Sequence, residues 1–571
     1  MRQPNCGRLP AHLHAKLISL EPKTRYAIAM SAARFLPAKW HARASSKLRR
    51  LAAWLAASAS DRSAGLGLVL GFATAHAVLW TFILINLKAA QDIHMDVAEA
   101  FAWGQKFQLG YGKHPPLAGW VAGLWFRLFP VADWASYALA MATVGCGLVI
   151  CWLISLRVVD RRRAFFVVLM LALYPIFNFK GFKYNPDLLQ LVTLPLVVLA
   201  YLHAFERRTA RAGLWLGLAA ALALMTKYWV LTMIGAVGIA ALVHPDRLLF
   251  LRSPAPWVAI VTLLVAMLPH LWWLRQVDFV PLTYAGDVYA LTSRAQNVHL
   301  VLGYIGHNLA LLAAPAAVAA LALAWGPRWW VTLARQPLTL FTRPWSRGPN
   351  PGVNVSQALN VWIIQSVVAV GPPLGALIFM VYMKTDWGIS LFFLTPLALV
   401  AIPSLRLQKI ALVHLAAIWL LITLAVLAAS PYIAAREMAD NPNGASGYGA
   451  RSELARELTQ AWHERFASRW AVVAGTTEIG EPMTFYSPDH PAPFTPGEIW
   501  SSGLTSLEEA KRLGFIGICD TSDGRLPVCE AWMAANAGQA EQLVMTTQRF
   551  FHGHAGPATS WKIYIVPPAK K

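Results

Sequence analysis

The chain has 571 residues, 57% of them hydrophobic and only 13% charged, with 25 Trp and a mean hydropathy of +0.47. Such composition, with long uncharged runs, excludes an ordinary soluble protein and places the chain among polytopic membrane proteins. The net charge of +21 does not argue for nucleic acid as a partner. Residues 1–63 hold twelve Lys/Arg against two acids and residues 430–571 twelve against fifteen, while most of the remaining surplus falls in short connections between apolar runs. There it orients a membrane protein by the positive-inside rule.

In chain order, the first apolar run begins near Ala64, too late for a secretory signal. The basic segment 1–63, helical in stretches such as 45–55, is expected on the anionic cytoplasmic leaflet. Eleven candidate spans follow, at about 65–87, 134–156, 164–178, 187–204, 212–226, 229–243, 255–274, 299–324, 360–383, 387–403 and 408–429. Two of them, 164–178 and 212–226, are short for a full crossing. An odd count puts the two ends on opposite sides. Arg157 and Arg161–Arg163, then Arg207, Arg208 and Arg211, then Arg247 and Arg252, then Arg328, Arg335, Arg343 and Arg347, then Arg406 and Lys409 share a side with the N-terminus. That side is expected to be cytoplasmic. Residues 64–429 then form the membrane domain, and 430–571 a soluble domain on the outer, periplasmic side of a bacterial inner membrane.

The loop 88–133 carries the most telling residues. Asp92, Asp96 and Glu99 fall at a membrane surface, followed by Lys113 and His114 directly before Pro115-Pro116. Charges are costly near lipid, so their concentration there suggests chemistry. Asp96 and Glu99 share a helix face, with Met95, Ala98, Phe101 and Ala102 as an apolar surface to rest on the bilayer. One carboxylate there can accept a proton from a substrate hydroxyl; the bland alternative is a solvated helix face. The prolines hold Lys113 and His114 on a rigid, extended backbone, where cationic donors suit a lipid-linked phosphate; the alternative is a snorkelling lysine. The segment 115–129 is too short and too aromatic for a span and reads as an interfacial helix started by Pro116.

Further along, Lys180, Lys183 and Asp187 repeat the polar theme, with Asp187 either a helix cap or part of the site. Lys227, between two apolar runs, either caps an outer turn or reaches a buried anion. Arg275, Lys384 and Asp386 could extend the same polar floor, while His270 and His307 read as satisfied core histidines. Cys146 and Cys151 read as inert packing residues. Cys519 and Cys529 can close a loop if the tail meets an oxidising compartment. The tail opens with a linker at 439–449. A helix at 451–466 and strands at 470–474, 483–486, 514–519 and 561–566 then give an α/β or α+β domain. The signatures of nucleotide hydrolysis, dinucleotide redox chemistry and zinc proteolysis are missing from the sequence.

The stretch DVAEAFAWGQ…LGYGKHPPLAGW resembles the GT-C glycosyltransferases of family 39/83, among them protein O-mannosyltransferases, lipid A aminoarabinose transferases and rhizobial lipid A galacturonosyltransferases. The likeness extends more loosely through Asp187, Lys227 and KTDWGISLFFLTPLAL. It implies a polytopic GT-C fold and a sugar donor linked by phosphate to a polyprenol. It further implies an envelope acceptor (lipid A, another glycolipid, polysaccharide or protein) and inversion at the anomeric carbon. By motif, Asp96 matches the family's first-loop catalytic aspartate and Asp187 its second-loop acid. His114 stands where the aminoarabinose transferases have a lysine, which makes its charge pH-dependent. Glu99 does not match the family's adjacent Asp-Glu pair. The site expected from all this has Asp96 as base, with Glu99, Lys113, His114, Asp187, Lys227 and Lys384 binding substrate. No cofactor is required by sequence, and a divalent metal shared by Asp96 and Asp187 stays open. The competing classes are a transporter or flippase of lipid-linked sugars and a membrane scaffold.

Overall fold

The computed structural model describes residues 38–288, 291, 293–324, 352–403, 405–440, 446–497 and 504–569. The N-terminal residues 1–37, Arg328, Arg335, Arg343, Arg347 and linker residues 441–445 lie outside the described residues.

Among the described residues, seven helices are long and apolar enough to cross a membrane. In chain order the helices are α1 (Ala38–Ser60), α2 (Arg62–Leu87), α3 (Met95–Gly104), α4 (Leu117–Leu128), α5 (Asp133–Val158), α6 (Arg161–Ala172) and α7 (Pro186–Arg207). There follow α8 (Ala210–Leu224), α9 (Leu231–Val243), α10 (Pro254–Gln276), α11 (Val280–Val288), α12 (Arg294–Ala324), α13 (Val355–Phe379) and α14 (Lys409–Ala439). The seven long ones, α2, α5, α7, α10, α12, α13 and α14, meet seven of the eleven expected spans. The other four fall on shorter elements: α8, α9, the 385–400 helix, and α6. For 164–178 the expected length is corrected, because α6 stops after 12 residues. Pro175 opens a 3₁₀ turn directly after it, and Asn178 folds back to cap the next turn. Ala52, Leu55, Ala56 and Ala59 of α1 are buried in the bundle core, so this basic helix packs on protein with only its other side free.

The two ends of the bundle differ in kind. At one end basic connections meet helix ends: Arg157 pairs with Glu206 at 2.6 Å, and Arg163 Nη2 donates to the Leu405 carbonyl at 3.1 Å. At the other end lie α3, α4, the turn before α7 and the chain after α14. There α3 and α4 cross with Gly104 against Gly123. A Cβ on Gly104 would sit 2.5 Å from the Gly123 Cα, so only glycine allows this approach.

After α14 the chain folds around a five-stranded sheet of order β2-β1-β3-β7-β4. The strands are β1 (Val472–Ala474), β2 (Ala492–Phe494), β3 (Phe515–Asp520), β4 (Glu541–Thr547) and β7 (Thr559–Val566), with a small hairpin of β5 (Phe550–Phe551) and β6 (His554–Ala555) beside it. Strand alternation assigns the faces. Ile516, Ile518, Trp561 and Ile563 pack against α15 (Arg451–Arg465) and α16 (Thr477–Tyr486). Phe515, Cys519 and Tyr564 face α17 (Leu507–Leu513) and α18 (Leu526–Asn536), and Cys519 is disulfide-bonded to Cys529. The strand expected at 483–486 is instead the last turn of α16, in which Met483, Thr484 and Phe485 are all buried.

This C-terminal unit sits on the loop after α2. Asp92 is buried, its Oδ2 accepting from the Arg451 N–H at 2.8 Å and its Oδ1 from the Arg549 guanidinium, which also reaches Glu453 at 3.1 Å. Asp92 is therefore a docking residue for the tail. The apolar face of α3 is corrected too: Val97, Ala98 and Phe101 pack with Phe485 of α16, so α3 rests under the tail and not on lipid. Removing Arg549 would leave a buried carboxylate without its cation, at a cost of about 3–5 kcal/mol. Arg549→Ala is expected to lower the melting temperature and to open the tail to limited proteolysis. A wild-type digestion pattern would show that Asp92 does not depend on this arginine.

Candidate active site

The site grows from three turns that the helices bring to one end of the bundle. His94 is the N-cap of α3 and accepts from the Asp96 N–H at 3.1 Å through Nδ1. That nitrogen is consequently the unprotonated one. Burial, above all, pushes the His94 imidazole down to about 4, so it is neutral at ordinary pH. Asp96 points toward the turn that precedes α7. Its Oδ2 accepts from Asn185 Nδ2 at 2.8 Å and lies 3.1 Å from Lys183 Nζ. Asn185 does two things at once, because its Oδ1 caps α7 by accepting from the Leu188 N–H at 2.8 Å. With the oxygen committed to the helix, the amide N–H₂ must face Asp96. Burial opposes charge on Asp96, but His94 when protonated, Lys183 and Asn185 outweigh it and hold the carboxyl well below the usual range.

Asp187, in the first turn of α7, is not the cap; Asn185 is. Its carboxylate takes Lys227 Nζ on both oxygens, at 2.7 and 3.0 Å, and Gln190 Nε2 at 3.0 Å. Lys227 also lies over the Trp387 ring, 5.2 Å from its centroid. Of the two roles open to Lys227, the structure shows pairing with an anion, the half-buried Asp187. The turn Tyr111–His114 closes on itself through backbone bonds of 3.0 and 3.3 Å, with Tyr111 stacked on Trp103. Leu117 N–H donates to the Met225 carbonyl at 2.9 Å, which docks this turn beside Lys227. Lys113 forms an ion pair with Glu99, both almost fully buried. Burial works against the charge on Lys113, but Glu99, joined by Glu481 when that acid is ionised, outweighs it and raises its pKa. For His114, burial, then Lys227 and Lys113, press the imidazole well below its ordinary 6.5. That environment favours the neutral ring, against the expectation of a charge that changes near neutral pH.

Asp386 meets Lys180 at 3.4 Å and His307 Nε2 at 3.3 Å, so His307 belongs to this polar floor and not to the apolar core. His270 is a satisfied core histidine, 2.7 Å from the Leu109 carbonyl and 3.0 Å from the Tyr228 hydroxyl. Lys384 is exposed beside His94 and forms no ion pair with another described residue. Arg275 is exposed at the end of α10, apart from these pairs. Asp96, Glu99, Lys113, His114, Asp187 and Lys227 thus come together, held by Lys183 and Asn185. Sequence reasoning noted Lys183 but gave it no role, and it missed Asn185, His94 and Glu481. Among the described residues no three His, Cys, Asp or Glu side chains converge as metal ligands. Asp96 and Asp187 are each paired with a lysine.

The chain is similar to known proteins in sequence and in fold. A family model described as dolichyl-phosphate-mannose-protein mannosyltransferase matches residues 113–273. The lipid A galacturonosyltransferase RgtD of Rhizobium johnstonii is 29% identical over 242 residues, 40% of this chain and 47% of that protein. The chain therefore spans about half the length of this curated relative. The apo crystal structure of ArnT from Cupriavidus metallidurans superposes with a TM-score of 0.56 at 13% identity, over 88% of this chain and 98% of ArnT. The structure of the same protein bound to undecaprenyl phosphate gives 0.46 over the same shares.

The titration of His114 is directly measurable. An imidazole lowered by folding binds fewer protons than in the unfolded chain, so stability present at neutral pH is lost as pH falls below 6.5. His114→Gln is expected to reduce the acid-side fall in melting temperature. Identical pH–melting curves for both proteins would mean that this ring titrates normally.

Proposed function

We propose that this chain, a GT-C glycosyltransferase by fold, moves a sugar from a polyprenyl-phosphate-linked donor to a hydroxyl of an envelope acceptor, inverting the anomeric carbon. The observation that carries this reading is the convergence of Asp96 with Lys113, Lys183 and Lys227 at one end of the bundle. A carboxylate for the acceptor and ammonium groups for a phosphate are what such a transfer needs. The matching family model is named for a dolichyl-phosphate-mannose donor and the curated relative for lipid A, which makes lipid A the first acceptor to try.

The site lies opposite the basic connections, which supports a cytoplasmic N-terminus and a periplasmic tail in the bacterial inner membrane. The Cys519–Cys529 bond suits that oxidising side. Counting α6, α8, α9 and the 385–400 helix with the seven long helices gives eleven crossings, an odd number that separates the ends.

In the transfer, the acceptor oxygen bonds to the anomeric carbon as the carbon–phosphate oxygen bond breaks, and the acceptor's proton leaves. A phosphate ester needs no protonated acid to depart. It needs positive charge. Each ammonium has three N–H donors, so Lys113 and Lys227 can hold their carboxylates and still meet the phosphate, with His114 and exposed Lys384 alongside. Asp96 is a weak base because Lys183 and Asn185 stabilise its anion. It serves by orienting the hydroxyl and taking its proton late, when the new bond has already made that oxygen acidic. No step runs through a metal ion, and EDTA is expected to leave turnover intact.

Purified protein in nanodiscs, supplied with polyprenyl-phosphate sugars and lipid A, is expected to give glycosylated lipid and free polyprenyl phosphate by mass spectrometry. Lipid-linked sugar crossing the bilayer of proteoliposomes without product would favour the flippase reading instead. Asp96→Asn is expected to cut turnover by about 10²–10⁴-fold while the protein stays in the membrane. Near-normal turnover would remove Asp96 from the reaction. Lys227→Met is expected to raise the donor KM more than the acceptor KM, and the reverse order would count against a phosphate contact.

A further inference from the structure

The tail's helix α16 puts one acid where no cation of its own waits for it. Glu481 sits mid-helix between Gly480 and Pro482 and is 4% exposed. Its helix lies along α3, and the groups facing it are Glu99 and Asp96 of α3, Lys113 of the turn before α4, and Glu478 of its own helix. Tyr284 of α11 also lies within electrostatic reach of Lys113. Glu99 already holds the Lys113 ammonium, and Glu481 Oε2 is buried without a hydrogen-bond partner. Two buried carboxylates around one lysine leave a net negative charge in a dry place, which a single proton removes.

We propose that Glu481 is a positioning residue of the transfer site, supplied by the tail, which holds one proton in a pair with Glu99 and so leaves the Lys113 ammonium with a single carboxylate partner as it meets the donor's phosphate. The identity of that phosphate rests on the donor reading above. With Glu481 neutral, Lys113 answers to one carboxylate and retains N–H donors for a second anion. When Glu481 ionises, two carboxylates compete for the same ammonium and the incoming phosphate meets less positive charge. Burial and the neighbouring Glu99 both oppose that ionisation. The donor is a phosphodiester, whose charge does not change over the range in which Glu481 titrates, so the effect belongs to the protein.

Three measurements on the full chain in nanodiscs test this. Infrared difference spectra are expected to contain a protonated-carboxyl band at neutral pH that is lost in Glu481→Gln and weakened in Glu99→Gln. Because the folded protein holds a proton that the unfolded chain releases above the ordinary glutamate pKa of 4.5, Glu481→Gln is expected to melt higher than wild type by a margin that widens as pH rises from there and vanishes in acid. The donor KM of wild type is expected to rise on the alkaline side, and that rise to be lost in Glu481→Gln. A wild-type spectrum without the band, or an alkaline rise that survives in the Gln variant, overturns the proposal. If no polyprenyl-phosphate donor is turned over while the band still depends on Glu481, the donor reading falls and with it the role assigned to Lys113. The proton-sharing pair then stands on the spectra and the melting curves.

Discussion

A charge brought to the edge of a bilayer must bring its counter-charge along, and that constraint organises this protein. Lys227 is nearly buried and is tolerable there because Asp187 takes it on both oxygens. Lys183 answers Asp96, Lys113 answers Glu99, and Lys180 answers Asp386. All but the Lys113–Glu99 pair join elements that are distant in sequence, so satisfying the charges also fixes how the turns before α4, α7 and α9 meet. The same matching that makes the cluster affordable to fold makes it responsive, because an incoming anion enters a field already poised near neutrality.

The tail belongs to this charge system. Arg549 and the Arg451 N–H bind Asp92 at the start of the outer loop, which anchors the C-terminal unit onto α3. Phe485 then packs into the α3 apolar cluster, and Glu481, one helical turn earlier, comes to lie beside Glu99. A helix with one face against α3 and its other side in the sheet's core transmits position rigidly. The C-terminal unit is thus a wall of the candidate site.

Much of this was legible in the sequence where a residue's type conflicts with its surroundings. Lys113 and His114 before Pro115-Pro116, and Lys227 between apolar runs, stand out because a charge there needs a reason. The seven long helices follow from uninterrupted apolar length, and α6 was overread because its hydrophobicity continues past the point where Pro175 ends the helix. Partnership was harder. Asp187 and Lys227 are forty residues apart, and nothing in either neighbourhood names the other. Asn185 hid because capping a helix and holding Asp96 use opposite ends of one amide. Residues 483–486 read as a strand because Phe485 and Tyr486 favour one, yet packing on α3 selected the helix. Glu481 gave no signal at all: a lone acid on a short helix reads as solvated until the fold buries it.

The depressed basicity of Asp96 bears on how the two halves of a transfer would be timed. A strong base would deprotonate the acceptor early and create an alkoxide beside Lys183 and Lys113, which would then be drawn away from the phosphate. A carboxylate already stabilised by Lys183 and Asn185 gains little by taking a proton until the acceptor oxygen has begun to bond to carbon. By then negative charge has moved to the departing phosphate, toward Lys113 and Lys227. On the proposed mechanism the lysines would serve the leaving group only with a weak base, and the pairing of Asp96 with Lys183 would make it weak.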